Sequence, residues 1–245
     1  MRTLFRSLLL AGLSLATALA GDFLTITSKV TGKGPAGKSD GTQVQYFSAT
    51  KMKITHAGGK MDSLIDYDAG VMYTILHDKK KVQKMTFKDL AEAMEALEQQ
   101  MSGMPEMVTK MMVGDISEVK VEKLGKDTVA GRTCDKARVT VGKLSQELSL
   151  DPTLKVPIDY AKAMQMIQRV PGPMGVAFKK MYGEFAKLKG FPLKSHVTGF
   201  MGMDQTTEAT AISTAALPAS TWALPDYPVE DVGKKMKEEM ARGRH

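Results

Sequence analysis

Between Phe23 and Met85 the chain repeats one pattern: four to nine residues with apolar and polar side chains alternating, then a break rich in Gly, Asp or Lys. Phe23–Thr31 carries Leu24, Ile26 and Val30 in step; Thr42–Ser48 carries Val44 and Tyr46; Lys51–Thr55 carries Met52 and Ile54. Lys60–Tyr67, Val71–Leu76 and Val82–Met85 follow. A period of two places alternate side chains on one face of an extended strand. Strands this short, joined by breaks this tight, can pair only with their neighbours, so the pattern predicts an antiparallel meander with one buried face. Asp68-Ala69-Gly70 suits a hairpin with Gly70 at positive φ. The turn His77-Asp78-Lys79-Lys80 places lysines where they discourage pairing between molecules.

At Phe87 the period changes. Phe87, Leu90, Ala91, Met94, Leu97 and Met101 recur at helical spacing, and Thr86 with Asp89 resembles a capping box with Asp in place of Glu. Gly103 stops this helix. Pro105 opens another, striped by Met104, Met107, Val108, Met111 and Met112. Strand patterns resume at Ile116–Leu124, Thr133–Val141 and Leu144–Leu150. Helical spacing returns after Pro157 (Tyr160, Ala163, Met164, Ile167) and after Pro173 (Met174, Ala177, Phe178, Met181, Tyr182, Phe185, Leu188). Phe191–Met203 and Gln205–Ala216 read as strands. The order is strands, helix pair, strands, helix pair, strands. It predicts one α+β domain, a curved antiparallel sheet covered on one face by two helix pairs. Its expected limits are residues 21–225, followed by a charged helix or tail over residues 226–245 with a thin stripe of Val232, Met236 and Met240.

Residues 1–20 have the anatomy of a secretory signal peptide: basic Arg2 and Arg6, an apolar run from Leu8 to Leu19, and the small-x-small site Ala18-Leu19-Ala20, with cleavage expected after Ala20. The expected location is periplasmic or secreted. Loss of Arg2 and Arg6 lowers the formal charge from +7 to +5. In an exported chain this charge argues against nucleic acid and for peripheral contact with an anionic membrane surface or for a solvated face. The one cysteine, Cys134, cannot form an intramolecular disulfide, so burial must hold the fold. Its strand-like surroundings favour a buried, inert thiol.

Three segments, LIDYDAGVMYTILHDKKKVQKM, AGRTCDKARVTV and GFPLKSHVTGF, resemble the signature stretches of the bacterial periplasmic family of domain of unknown function 4412. In that family an Asp-to-Met/Tyr hairpin precedes a lysine-rich turn, a Gly-x-x-Cys-x-x-x-Val strand follows, and a Gly-Phe/Leu-Pro-x-Lys strand comes near the end. The family is in turn similar to the LolA/LolB-like lipoprotein carriers. That resemblance implies an incomplete β-barrel, capped by helices, around an apolar cavity able to hold acyl chains. It implies no catalytic residues.

Methionine is the compositional oddity, 19 residues against 8 Phe and 1 Trp. Unbranched thioethers fill irregular gaps in cores, and over a concave sheet they make an adaptable apolar surface. The expected function is non-enzymatic binding of a lipid or other hydrophobic ligand, with no cofactor. Its lining would be Met94, Leu97, Met101, Met107, Met111, Met164, Ile167, Phe178 and Met181 from helices, with Tyr46, Ile54 and Tyr73 from strands. Two alternatives stand beside it. Met101, Met104 and Met107 have a Met-x-x-Met-x-x-Met spacing of soft ligands suited to Cu(I). A domain with a filled core would instead be an envelope interaction module. The four histidines are scattered, and no phosphate loop, zinc spacing or nucleophile elbow is present, so no enzyme is expected. Oligomeric state is not readable from the sequence.

Overall fold

The structure is a computed structural model that describes residues 22–34, 37–101, 114–115, 118–158, 180–181, 183–185, 187–199 and 202–242. The expected signal peptide, and the helical stretches placed after Pro105, after Pro157 and at the start of the Pro173 stripe, lie outside these residues.

Strand β1 (Phe23–Gly34) is the hub. A two-residue strand, β2 (Gly37–Lys38), folds back on its end. From there the chain runs as a meander through β3 (Gly41–Ser48), β4 (Lys51–Thr55), β5 (Met61–Asp66), β6 (Val71–Leu76) and β7 (Lys81–Thr86). A second meander, β8 (Val119–Val129), β9 (Arg132–Val141), β10 (Leu144–Asp151), β11 (Phe191–Thr198) and β12 (Asp204–Ser213), returns to β1 from the other side. The result is one sheet of 13 strands in the order β13-β7-β6-β5-β4-β3-β1-β12-β11-β10-β9-β8, with β2 paired to β1 off this path. All these pairs are antiparallel except one: β13 (Val229–Asp231) adds to β7 in parallel. The sheet is curved and does not close. β8 and β12 lie four positions apart in the order, roughly 19 Å in a flat sheet, yet they touch. Register shifts at Thr27/Ser28, Lys123/Gly125 and Ser149/Leu150 supply local bends.

Turns and caps form as their residues predict, whereas β8 runs through Gly125 to Val129, past the end expected at Leu124, and β1 runs to Gly34 rather than Thr31. Asp66 Oδ1 accepts from Ala69 N at 2.9 Å, and Gly70 has φ +63°, so the β5–β6 hairpin forms as its residues require. Lys79 and Lys80 occupy the next turn. At the start of α1 (Phe87–Met101) the capping box is present: Asp89 N donates to Thr86 Oγ1 at 3.0 Å, and Thr86 N donates to Asp89 Oδ2 at 3.4 Å. The charged tail is tied in. After β13 it forms α2 (Val232–Arg242), which packs on α1 and β7, with Gly233 against Asp89.

The expected cover of two helix pairs is not supported. Among the described residues the helices are α1, α2 and a 3₁₀ turn at Ala219–Trp222, with helical geometry also at residues 180, 181 and 183–185. Among the described residues, part of the cover is irregular chain. Leu154, Val156 and Ile158, from the segment after β10, pack into a core with Leu24, Ile26 and Phe47. On the opposite face of β5–β7, Leu64, Ile75 and Val82 are also buried. The C-terminal segment runs along the β7 edge: Val82 N donates to Pro228 O at 2.9 Å, and the rings of His77 and Tyr227 meet edge-on at 6.1 Å.

Candidate functional site

Residues paired directly across strands share a face, so the register sorts side chains without ambiguity. One row crosses six strands: Leu24, Phe47, Met52, Ile65, Met72 and Met85, on β1, β3, β4, β5, β6 and β7. Leu24 and Phe47 are buried core; Met52, Ile65, Met72 and Met85 are only partly buried. Phe47 meets Phe191 edge-on at 5.8 Å at the buried end of the row, and Tyr67, after β5, meets Phe87, after β7, at 6.2 Å. Burial therefore lessens from the hub strand toward β7, leaving a thioether-rich apolar strip on the inner face. The next row on the same face, Ile26, Gln45, Ile54, Ser63, Thr74 and Gln83, turns polar beyond β1 except at Ile54. An apolar strip flanked by amide and hydroxyl groups suits a ligand with a long apolar body and polar substituents.

The sequence-derived lining divides. Ile54 lies on this inner face. Tyr46 and Tyr73 lie on the other one, in the row Tyr46, Lys53, Leu64, Tyr73 and Lys84. Met181 is 1% exposed and packs with Val139, Val141 and Leu144, as core filler of the second meander. Met94, Leu97 and Met101 fall on α1. Met107, Met111, Met164, Ile167 and Phe178 lie outside the described residues, as do Met104 and Met107 of the copper alternative. Met52 was visible as a partner of Ile54 in its alternating strand. Ile65, Met72 and Met85 were missed, because Tyr73, with Val71 and Ile75, makes an equally apolar set on the opposite parity.

The two faces of the second meander differ more sharply. Inside, Val139, Val141, Leu144 and Leu148 are buried. Outside runs a charged lattice: Arg138 binds Glu122 at 3.2 Å and also Glu147, Lys136 binds Glu147 at 3.0 Å, and Lys194 binds Glu208 at 2.9 Å. The Lys120 ammonium, helped by Arg138, holds the Glu122 carboxyl below its ordinary range, and Arg138 does the same for Glu147. These exposed pairs keep the outer face solvated and contribute little stability each.

Two family-signature stretches meet at the other end of β9 and β10. Ala130 and Gly131, both at positive φ, close the β8–β9 hairpin. Arg132 Nε then donates to Asp151 Oδ2, while Thr153 N and Oγ1 donate to Asp151 Oδ1 at 2.8 and 2.7 Å. Asp151 is 1% exposed. Burial raises its pKa, and the hydrogen bonds from Arg132 and Thr153 more than offset this, so the carboxyl titrates below 3.8. Gly190, at φ +112°, lies so close that a Cβ would sit 2.7 Å from the Asp151 carbonyl. Cys134 is fully buried; burial, then Asp151 and Asp127, push its thiol up, which suppresses the nucleophilic thiolate. This end of the molecule is structural. No group of three or more His, Cys, Asp or Glu suited to a metal occurs among the described residues.

A family model described as domain of unknown function (DUF4412) matches residues 41–227. No curated protein matches the chain. Among solved structures, PNGF-II in a P21 crystal form is 13% identical with a TM-score of 0.43, over 88% of this chain and 33% of that one, so the present chain spans about a third of its length. An uncharacterized conserved protein from Thermus thermophilus is 10% identical with a TM-score of 0.47, over 86% of this chain and 91% of that one. A putative outer membrane lipoprotein-sorting protein domain from Vibrio parahaemolyticus is 8% identical with a TM-score of 0.34, over 82% of this chain and 88% of that one.

Proposed function

The chain belongs to the domain of unknown function (DUF4412) family, and from that premise we propose that it is an exported, non-enzymatic protein that binds a lipid or other hydrophobic ligand on the inner face of its first meander. One observation carries this reading: the row Met52, Ile65, Met72 and Met85 continues a core row but is left partly exposed. Met, with its unbranched and polarizable side chain, adapts to ligands of differing shape at small cost. The basic, apolar and small-x-small order of residues 1–20 supports export. The ligand lies along the row, with its polar end toward Gln45, Ser63, Thr74 or Gln83.

Fluorescent fatty-acid titration tests the reading, with native mass spectrometry of protein recovered from the periplasm as the companion measurement. The double variant Met52→Ser/Met72→Ser removes about two to three buried methylenes of ligand contact, at about 0.8 kcal/mol each, and is expected to weaken binding on the order of tenfold or more. Tyr73→Ser, on the opposite face, leaves the affinity unchanged. Equal effects of the two substitutions, or no binding by the unsubstituted chain, refute the site.

A further inference from the structure

On the side of the molecule where β8 forms the free edge, the turn at residues 187–189 comes up beside the β8–β9 ladder and encloses a hollow of about 470 Å³. Lys123, Lys126, Lys136, Lys187 and Lys189 ring it, with Asp135 as the one carboxylate in the wall and Ala137, Leu150 and Leu188 as an apolar floor. Three of the lysines are matched: Lys126 with Asp135 at 2.5 Å, Lys136 with Glu147 at 3.0 Å and Lys187 with Glu184 at 2.5 Å. Among the described residues, Lys123 and Lys189 have no carboxylate in ion-pair range, and both are exposed. The Lys136 ammonium turns to Glu147 on the outer face, so four lysines share this rim, and two of their charges are left uncompensated at a site where an anion can enter.

The chemistry of the ring narrows the anion. All its cations are lysines, compact point charges with rotatable donors, which can seat a phosphate without imposing one fixed geometry on it. The rim narrows the source. Leu124, the bulged residue of β8 that follows Lys123, is 37% exposed, and Val121, which precedes Glu122, is 39% exposed. Two exposed apolar side chains among the lysines of one sheet edge fit an interface where headgroup phosphates lie beside acyl chains, and lack an evident role for a free anion in water. The bulge and the lysines also obstruct strand addition at this edge, so a protein strand is a poor occupant.

We propose that the β8 edge is a membrane-docking surface, with the lysine hollow seating the phosphate headgroup of an anionic phospholipid and Leu124 and Val121 entering the interface beside it. This surface is separate from the apolar row and does not depend on it. Co-sedimentation of the purified chain with vesicles tests it. Vesicles of phosphatidylglycerol in phosphatidylcholine are expected to bind the chain, and pure phosphatidylcholine vesicles are not. Each lysine near an anionic surface is worth about fivefold in affinity. Lys123→Gln/Lys189→Gln is therefore expected to weaken binding about 25-fold, whereas Lys79→Gln/Lys80→Gln, the same charge change at the β6–β7 turn, changes it less than about twofold. Leu124→Ser weakens binding severalfold without altering its salt dependence. Circular dichroism verifies that each variant is folded. Equal losses from the two lysine pairs would mean that net charge alone attracts the chain and would overturn the site. Binding of sn-glycerol phosphate as tight as that of vesicles would mark a free-anion pocket and overturn the docking role. Indifference to phosphatidylglycerol would overturn both.

Discussion

Replacing Arg132 by Met keeps the stem length and removes the guanidinium from Asp151. Asp151 Oδ2 then loses its Arg132 donor, while Thr153 still serves Oδ1. Breaking a fully buried pair by removing one partner costs about 3–5 kcal/mol. Here the Arg132 side chain is 37% exposed, although Asp151 is 1% exposed, so water reaches the vacated position and the cost falls to about 2 kcal/mol at neutral pH. The pH dependence distinguishes this cause from lost packing. In the parent chain the folded pKa of Asp151 lies below 3.8, so its contribution is present above that value and is lost as pH falls through the folded pKa. In the variant the Arg132 contribution is gone and burial is opposed by Thr153 alone, so the folded pKa moves up from its position in the parent. The parent therefore loses stability that the variant no longer has as pH falls below 3.8, and the gap between the two chains narrows there. Urea unfolding, followed by Trp222 fluorescence at about pH 7 and about pH 3, measures the gap at both ends. A gap that is the same at the two pH values, or under about 0.5 kcal/mol at neutral pH, refutes the assignment of Asp151 as an ion-paired buried carboxylate.

Gly190→Ala places a Cβ 2.7 Å from the Asp151 carbonyl at φ +112°; a loss of about 2 kcal/mol, read as a lowered thermal midpoint, is expected from backbone strain of this kind, and an unchanged midpoint contradicts the close approach. Cys134, fully buried with its thiol pKa raised, should react with a thiol reagent only at the rate of unfolding, and reach free-thiol rates in urea; fast labelling of the native chain rules the burial out. Met181→Ala opens a cavity among Val139, Val141 and Leu144 and should cost about 2–5 kcal/mol in denaturant unfolding; a cost under about 1 kcal/mol would mean that Met181 lines open space.

The identity of most strands, the hairpin at Gly70, the lysine turn, the α1 capping box and the burial of Cys134 are all written in the linear chain, because each depends on contacts within a few residues or on the parity of one strand. Parity cannot say which parity faces inward. In β6, Met72 and Tyr73 are equally apolar, and the first meander buries side chains on both faces, Leu24 and Phe47 on one and Leu64, Ile75 and Val82 on the other. The inner face became identifiable only once Met52, Ile65, Met72 and Met85 were seen to extend the row from Leu24 and Phe47. The parallel addition of β13 to β7, the contact of Arg132 with Asp151, and the approach of residues 187–189 to β8 likewise join segments far apart along the chain. Such pairings depend on how the sheet curls and on what remains to cover it, and no local pattern encodes either.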